Sequence, residues 1–112
     1  MTINVYEQYF GAEILWNGEI RKGARVCLVS DSCEGNITYT LQVNFFPHRD
    51  SEDFGISYDA LSEKILFQGK GRRSRKREEG FMSSIKDEAD SLASGLGGTI
   101  RWDNPLIEAR RG

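Results

Sequence analysis

The sequence predicts an α+β fold of two layers, in which a C-terminal amphipathic helix packs on one face of an antiparallel β-meander sheet. Three observations predict it. Apolar and polar residues alternate over 37–45, as they do in a strand with one buried face. Asn17-Gly18 is the dipeptide most typical of a tight β-hairpin. Apolar residues recur at helical spacing between 85 and 96, which indicates a helix with one apolar side.

The chain has 112 residues, of which 38% are hydrophobic and 29% are charged. This length is typical of one domain, so residues 1–112 are expected to fold as a single unit. No apolar run reaches the ~20 residues that span a bilayer, and the N-terminus lacks the pattern of a secretory signal. We therefore expect a cytoplasmic protein with no membrane contact.

The first expected hairpin joins strands at 12–16 and 19–22 through Asn17-Gly18. Residues 2–6 are expected to add a further strand before it. The expected cross-strand pairs are Leu15 with Ile20 and Glu13 with Lys22.

The second expected hairpin joins an apolar, β-branched segment at 24–30 to the strand at 37–45 through a polar loop at 32–36. Centring its turn on Glu34-Gly35 places Leu28 opposite Leu41 and Val26 opposite Val43. One face of this pair then packs against the helix, and the other is expected to be an open, half-polar surface. That second face carries Cys27, Val29, Thr40, Gln42 and Asn44.

The elements after residue 47 are less uniform. Either a strand over 64–68 or a short helix begun near Ser57 fits the next apolar run, and we favour the strand. Ser84 and Asp87 resemble a capping box at the start of the amphipathic helix. The helix could instead start earlier, at 78–79, provided that it accommodates Gly80. Gly97-Gly98 is expected to end the helix, and residues 99–103 to form a last short strand.

The charge is unevenly distributed along the chain. The formal net charge is only −2 at pH 7, from 15 lysines and arginines and 17 aspartates and glutamates. Seven of the cations and none of the acids lie within 64–77, so the rest of the chain carries 8 cations against 17 acids. The two strongly charged segments are therefore the candidate sites.

The basic segment offers a nucleic-acid-binding site, because clustered lysines and arginines neutralise phosphates and release counterions. Its competing interpretation is a solvated, flexible loop that protects the sheet edge. Aromatic residues for base stacking are missing from the run, which Phe67 and Phe81 only flank. The nucleic-acid-binding candidates are Lys70, Arg72, Arg73, Arg75, Lys76 and Arg77.

The acidic segment over 50–63 offers a protein-binding site, because acids around aromatic anchors suit a basic partner. Its competing interpretation is again a solvated loop. The partner-binding candidates are Asp50, Glu52, Asp53, Phe54, Tyr58, Asp59 and Glu63.

The sequence contains no recognisable catalytic constellation. His48 is the one histidine; with Asp50 it permits a general base, but a lone loop histidine is more often structural. Cys27 and Cys33 lie too far apart along one strand for a disulfide, and two cysteines with one histidine do not make a zinc site. We therefore expect no enzyme, metal site or cofactor.

The leading hypothesis is a small non-enzymatic protein that inhibits or neutralises another, basic protein. In size and charge it is similar to bacterial immunity proteins, which bind toxins or nucleases; no sequence motif carries this comparison. The alternative hypothesis is a nucleic-acid-binding module that uses 70–77.

Overall fold

The computed structural model describes residues 1–47 and 60–103, which form one antiparallel sheet and one helix. This confirms the predicted α+β class and the C-terminal helix packed on the sheet. The sheet order is β4-β3-β2-β1-β5. In chain order the elements are β1 (Thr2–Trp16), β2 (Glu19–Cys33), β3 (Asn36–Phe46), β4 (Ala60–Lys70), α1 (Arg75–Gly95) and β5 (Thr99–Arg101).

The first hairpin has the predicted turn. Asn17 and Gly18 have φ values of 51° and 81°, as a type I′ turn requires, and Leu15 pairs with Ile20. The predicted pairing of Glu13 with Lys22 is wrong, because the register shifts between Gly11 and Ile14. Glu13 instead lies opposite Thr99 of β5. Both strands are also longer than expected. Residues 2–6 belong to β1 itself, and the segment at 24–30 continues β2, which begins at Glu19.

The second hairpin matches its prediction closely. Leu28 pairs with Leu41 and Val26 with Val43, across a turn with positive φ at Glu34 and Gly35. The alternative left open for the next segment is decided in favour of a strand, because β4 pairs with β3 along its length. β4 therefore forms an outer strand of the sheet within the described residues.

The helix begins ten residues before the predicted capping box. Ser74 is its N-cap, and its hydroxyl oxygen accepts a hydrogen bond from the Arg77 amide at 3.2 Å. Ser84 lies inside α1, where its hydroxyl donates to the Phe81 carbonyl at 3.3 Å. Gly80 is therefore accommodated within the helix. The predicted end is confirmed, since Gly97 follows the C-cap with a φ of 86°.

The core lies between α1 and one face of the sheet. Ile85, Ala89 and Ala93 are the apolar helix residues buried there, so the face around Ile85 and Ala89 is the one predicted. Lys64 of β4 adds an ion pair to Glu88 of α1 at 2.9 Å. No described helix is long and apolar enough to cross a membrane.

The opposite face of the sheet matches the expected open, half-polar surface only in part. Val29, Thr40 and Gln42 are half-buried there. Cys27 and Asn44 are fully buried, and the side chain of Arg25 lies among them with a relative exposure of 9%. Arg25 pairs with Glu7 and donates to Asn44 Oδ1 at 3.1 Å and Cys27 Sγ at 3.3 Å. The rest of the prediction failed because strand alternation assigns polar residues to solvent, whereas here they bond to one another.

Candidate functional site

The basic segment is divided between three parts of the fold. Lys70 ends β4, Arg72 lies in the connection to the helix, and residues 75–77 form the first turn of α1. The competing interpretation of this segment as a loop is therefore wrong for its last three cations. They project from the start of a 21-residue helix.

Arg73 is held by a buried carboxylate. Glu78 is only 2% exposed and accepts hydrogen bonds from Arg73 Nε at 2.9 Å and Arg73 Nη2 at 3.1 Å. This hydrogen bonding to Glu78 raises the pKa of Arg73 above its ordinary value. Arg73 thus neutralises a buried charge, which is a structural contact within the fold.

Tyr39 connects the same carboxylate to the helix cap. Its hydroxyl donates to Glu78 Oε2 at 2.7 Å and accepts from the Ser74 amide at 3.0 Å. The pKa of Tyr39 is raised, mainly by burial and secondly by the hydrogen bond to Glu78. Because Tyr39 lies on β3, these bonds fix the position of the helix N-terminus relative to that strand.

Arg77 is held by an aromatic ring. Its guanidinium carbon lies 3.8 Å from the centroid of Phe67, a cation–π contact between α1 and β4. The ring also lies close to Gly69, where an added Cβ would be 3.1 Å from the ring atom Cζ. Phe67 therefore lies next to both Gly69 and Arg77.

Arg77 is exposed as well as in contact with Phe67. The other exposed cations of 70–77 form what we call the cationic end: Lys70, Arg72, Arg75 and Lys76. Two of them stand in the first turn of α1, where the positive end of the helix dipole disfavours cations by ~0.3–1 kcal/mol each. The acid in that turn is Glu78, which is already paired with Arg73. The last turn has no basic residue, so cations lie at the N-terminal end of the helix, where the dipole disfavours them, and none lies at the C-terminal end, where it would favour them.

Two shallow clefts border the cationic end. The larger, of about 420 Å³, lies between the β2–β3 turn and the residues Gly71 and Arg72. The Gly71 amide donates to the Gly35 carbonyl at 2.9 Å and keeps these two segments together. The smaller, of about 320 Å³, is lined by Ser74, Lys76 and Arg77. The surface is therefore open enough for an extended ligand to reach the cations.

Most of the acidic candidates lie outside the described residues: Asp50, Glu52, Asp53, Phe54, Tyr58 and Asp59, together with His48. Glu63 is described. It is exposed on β4 and accepts a hydrogen bond from Gln42 Nε2 at 3.2 Å. The acidic surface as a whole therefore stays a prediction.

The two cysteines are free, with Cys27 buried and Cys33 exposed at the β2–β3 turn. Burial raises the pKa of Cys27 to about 11, which makes its thiolate scarce at neutral pH. Within 1–47 and 60–103, no three histidine, cysteine, aspartate or glutamate side chains are grouped to hold a metal ion.

Sequence reasoning missed the residues that anchor the cationic end, namely Tyr39, Ser74 and Glu78. A signal was present, because Ser74 is followed by Glu78 at nearly the spacing of a capping box. Tyr39 gave no such signal, since its contact with Ser74 spans 35 residues of sequence.

No protein-family model, curated protein sequence or solved structure gives a significant match to this chain. Its function is therefore inferred from the contacts described above.

Proposed function

We propose that this protein is a non-catalytic nucleic-acid-binding module whose cationic end contacts the phosphate backbone. The observation that carries the proposal is the exposure of Lys70, Arg72, Arg75 and Lys76 around one helix N-terminus. Cations in the first turn oppose the helix dipole, so helix stability does not account for them. A phosphate chain would be attracted both by the cations and by the helix end.

The anchoring of the neighbouring residues supports this proposal. Arg73 is fixed by Glu78 and Arg77 by Phe67, so the backbone that presents the exposed cations is held on both sides. A site held in place before binding loses less conformational entropy when the ligand arrives. The four side chains of the cationic end are then the ones that contact phosphates, and Arg73 and Arg77 position them.

The chemistry at this end supports binding without catalysis. Glu78, the buried carboxylate nearest the cations, already accepts from Arg73 and Tyr39, so it is poorly placed to take a proton from a substrate. Cys27 is buried on the far face of the sheet with a raised pKa. We place the protein in the cytoplasm, because two free thiols fit a reducing compartment.

A second candidate function is the neutralisation of a basic protein partner. One observation favours it: Glu63 on β4 lies between Leu61 and Ile65, whose relative exposures are 45% and 55%. Alternate residues of a strand share a face, so this outer strand presents an acid flanked by two apolar anchors. Reversing the charge of Glu63 would weaken such a complex and leave nucleic-acid binding unchanged.

The main proposal is tested by fluorescence anisotropy with a labelled DNA duplex at ~50 mM salt, where counterion release favours binding. Replacing Arg72 and Arg75 by Gln removes two of the four contacts and should weaken binding on the order of 100-fold. The control Lys22→Gln with Lys86→Gln removes the same charge elsewhere and should cost far less. Absence of binding by the unmodified protein, or equal losses in the two variants, would contradict the proposal.

A further inference from the structure

We infer that the cationic end prefers double-stranded over single-stranded nucleic acid. The inference rests on the proposed function and names the form of nucleic acid that this site binds. Two observations support it: the nearby aromatic rings pack against other protein side chains, and the start of the helix that carries the cations is held against the sheet.

The aromatic rings beside the cationic end are engaged within the protein. Phe67 has one ring face covered by Arg77, whose guanidinium carbon is 3.8 Å from the ring centroid, and the ring lies close to Gly69. Phe81 packs edge-on against Tyr39, with ring centroids 5.1 Å apart. Proteins that bind single strands gain ~1–3 kcal/mol for each base stacked on an exposed aromatic. Neither of these two rings offers a free platform for that contact.

Charge density favours the duplex further. Double-stranded DNA carries one charge per ~1.7 Å of its axis, so each neutralised phosphate contributes ~0.9 to the salt slope, against ~0.7 for a single strand. With four contacting cations the slopes are about −3.6 and −2.8. With equal affinities at ~1 M salt as the reference, this difference in slope makes duplex binding about tenfold tighter at ~50 mM salt.

The arrangement of the cations also suits a regular ligand. Tyr39 and Glu78 hold the start of α1 against the sheet, so the phosphate-contacting side chains share one fixed frame. A duplex presents phosphates on a stiff lattice, whereas a flexible strand must first be ordered along the frame. Without base stacking, a single strand gains little binding energy to offset the entropy that it loses on being ordered.

The test measures the affinity of the intact protein for a short DNA duplex and for each of its separated strands at ~50 and ~200 mM salt. We expect the duplex to bind about tenfold tighter at the lower salt and to lose about 150-fold at the higher salt, against about 50-fold for the strands. Equal or tighter binding of the strands would overturn the inference and leave the proposed function standing. No binding of either form would overturn both.

A pair of variants tests the role of the covered ring. Arg77→Ala and Arg75→Ala each remove one cation, but only Arg77→Ala uncovers the face of Phe67. Arg75→Ala loses one phosphate contact, which by the slopes above lowers the duplex preference from about tenfold to about sixfold. We expect the duplex preference to fall further than this in Arg77→Ala. The same preference in both variants would contradict the stacking argument. Circular dichroism of each variant verifies that α1 is retained.

Discussion

Arg75→Glu should stabilise the protein while weakening its binding of nucleic acid. Arg75 is the first residue of α1 and is exposed, next to the cap at Ser74. A cation here faces the positive end of the helix dipole, and an acid in its place would face an attractive potential. The substitution therefore reverses an unfavourable contact without disturbing the core.

The magnitude follows from the position of the charge. A single charge in the first turn is worth ~0.3–1 kcal/mol, and exchanging a cation for an acid counts twice. Repulsion between the new acid and Glu79, four residues further along the helix, offsets ~0.2–0.5 kcal/mol, so the net gain is about 1 kcal/mol at low salt. For a chain of 112 residues this corresponds to a rise in Tm of about 4 °C. Losing one phosphate contact should at the same time reduce the slope of log affinity against log salt by about 0.9.

Calorimetry at low salt measures the first effect and anisotropy titrations with duplex DNA measure the second. Lys22→Glu is the matched control, because it changes the net charge equally at an exposed site of β2 away from the helix. Its Tm should change little and its salt slope should not change. A lower Tm for Arg75→Glu would refute the reasoning about the helix end. An unchanged salt slope would show that Arg75 does not contact phosphate.

Three further predictions concern the fold. Tyr39→Phe leaves the buried Glu78 without one donor and should cost ~1–3 kcal/mol in urea unfolding, with a loss below ~0.5 kcal/mol contradicting the assigned bonds. Gly80 lies in open space within α1, so Gly80→Ala should raise the free energy of unfolding by up to ~1 kcal/mol. Gly18 has a φ of 81°, so Gly18→Ala should lower the free energy of unfolding by ~1 kcal/mol. A stabilising effect of Gly18→Ala would contradict the turn assignment. Because burial raises the pKa of Cys27 from 9.0 to about 11, the folded state favours the neutral thiol, and its contribution to stability should be lost as pH rises from 9 towards 11. In Cys27→Ala the free energy of unfolding should fall less steeply between pH 9 and 11. The same dependence of stability on pH in both proteins would contradict the raised pKa of Cys27.

The strand pairs were predictable because local chemistry sets their register. Asn17-Gly18 requires positive φ at both positions, and this places Leu15 opposite Ile20 without knowledge of the rest of the fold. Glu13 shows where this reasoning ends. The irregularity between Gly11 and Ile14 shifts the register, and the pairing of Glu13 with β5 brings together segments 86 residues apart in sequence.

The start of the helix was not predictable from local signals alone. Ser84 resembled a cap because an acid follows three residues later, yet it lies in the middle of α1. Ser74 caps the helix with support from Tyr39, a contact between the helix N-terminus and strand β3. Burial of Arg25 was missed for a similar reason, since its partners Glu7 and Asn44 come from two other strands.

The candidate site was predictable as a set of charges but not as a geometry. Composition identified all six cations of 70–77 and did not separate the two that contact Glu78 and Phe67 from the other four. That separation depends on Glu78 and Phe67, which take up Arg73 and Arg77. The number of cations expected to contact a ligand therefore falls from six to four.

The salt dependence of duplex binding tests the central claim most directly, because its slope counts the phosphates that the protein neutralises. With Lys70, Arg72, Arg75 and Lys76 in contact, log affinity should fall against log salt with a slope of about −3.6. In the Arg72→Gln/Arg75→Gln variant the slope should be about −1.8. A slope near zero for the unmodified protein, or the same slope in the variant, would contradict the assignment of the cationic end as the binding surface.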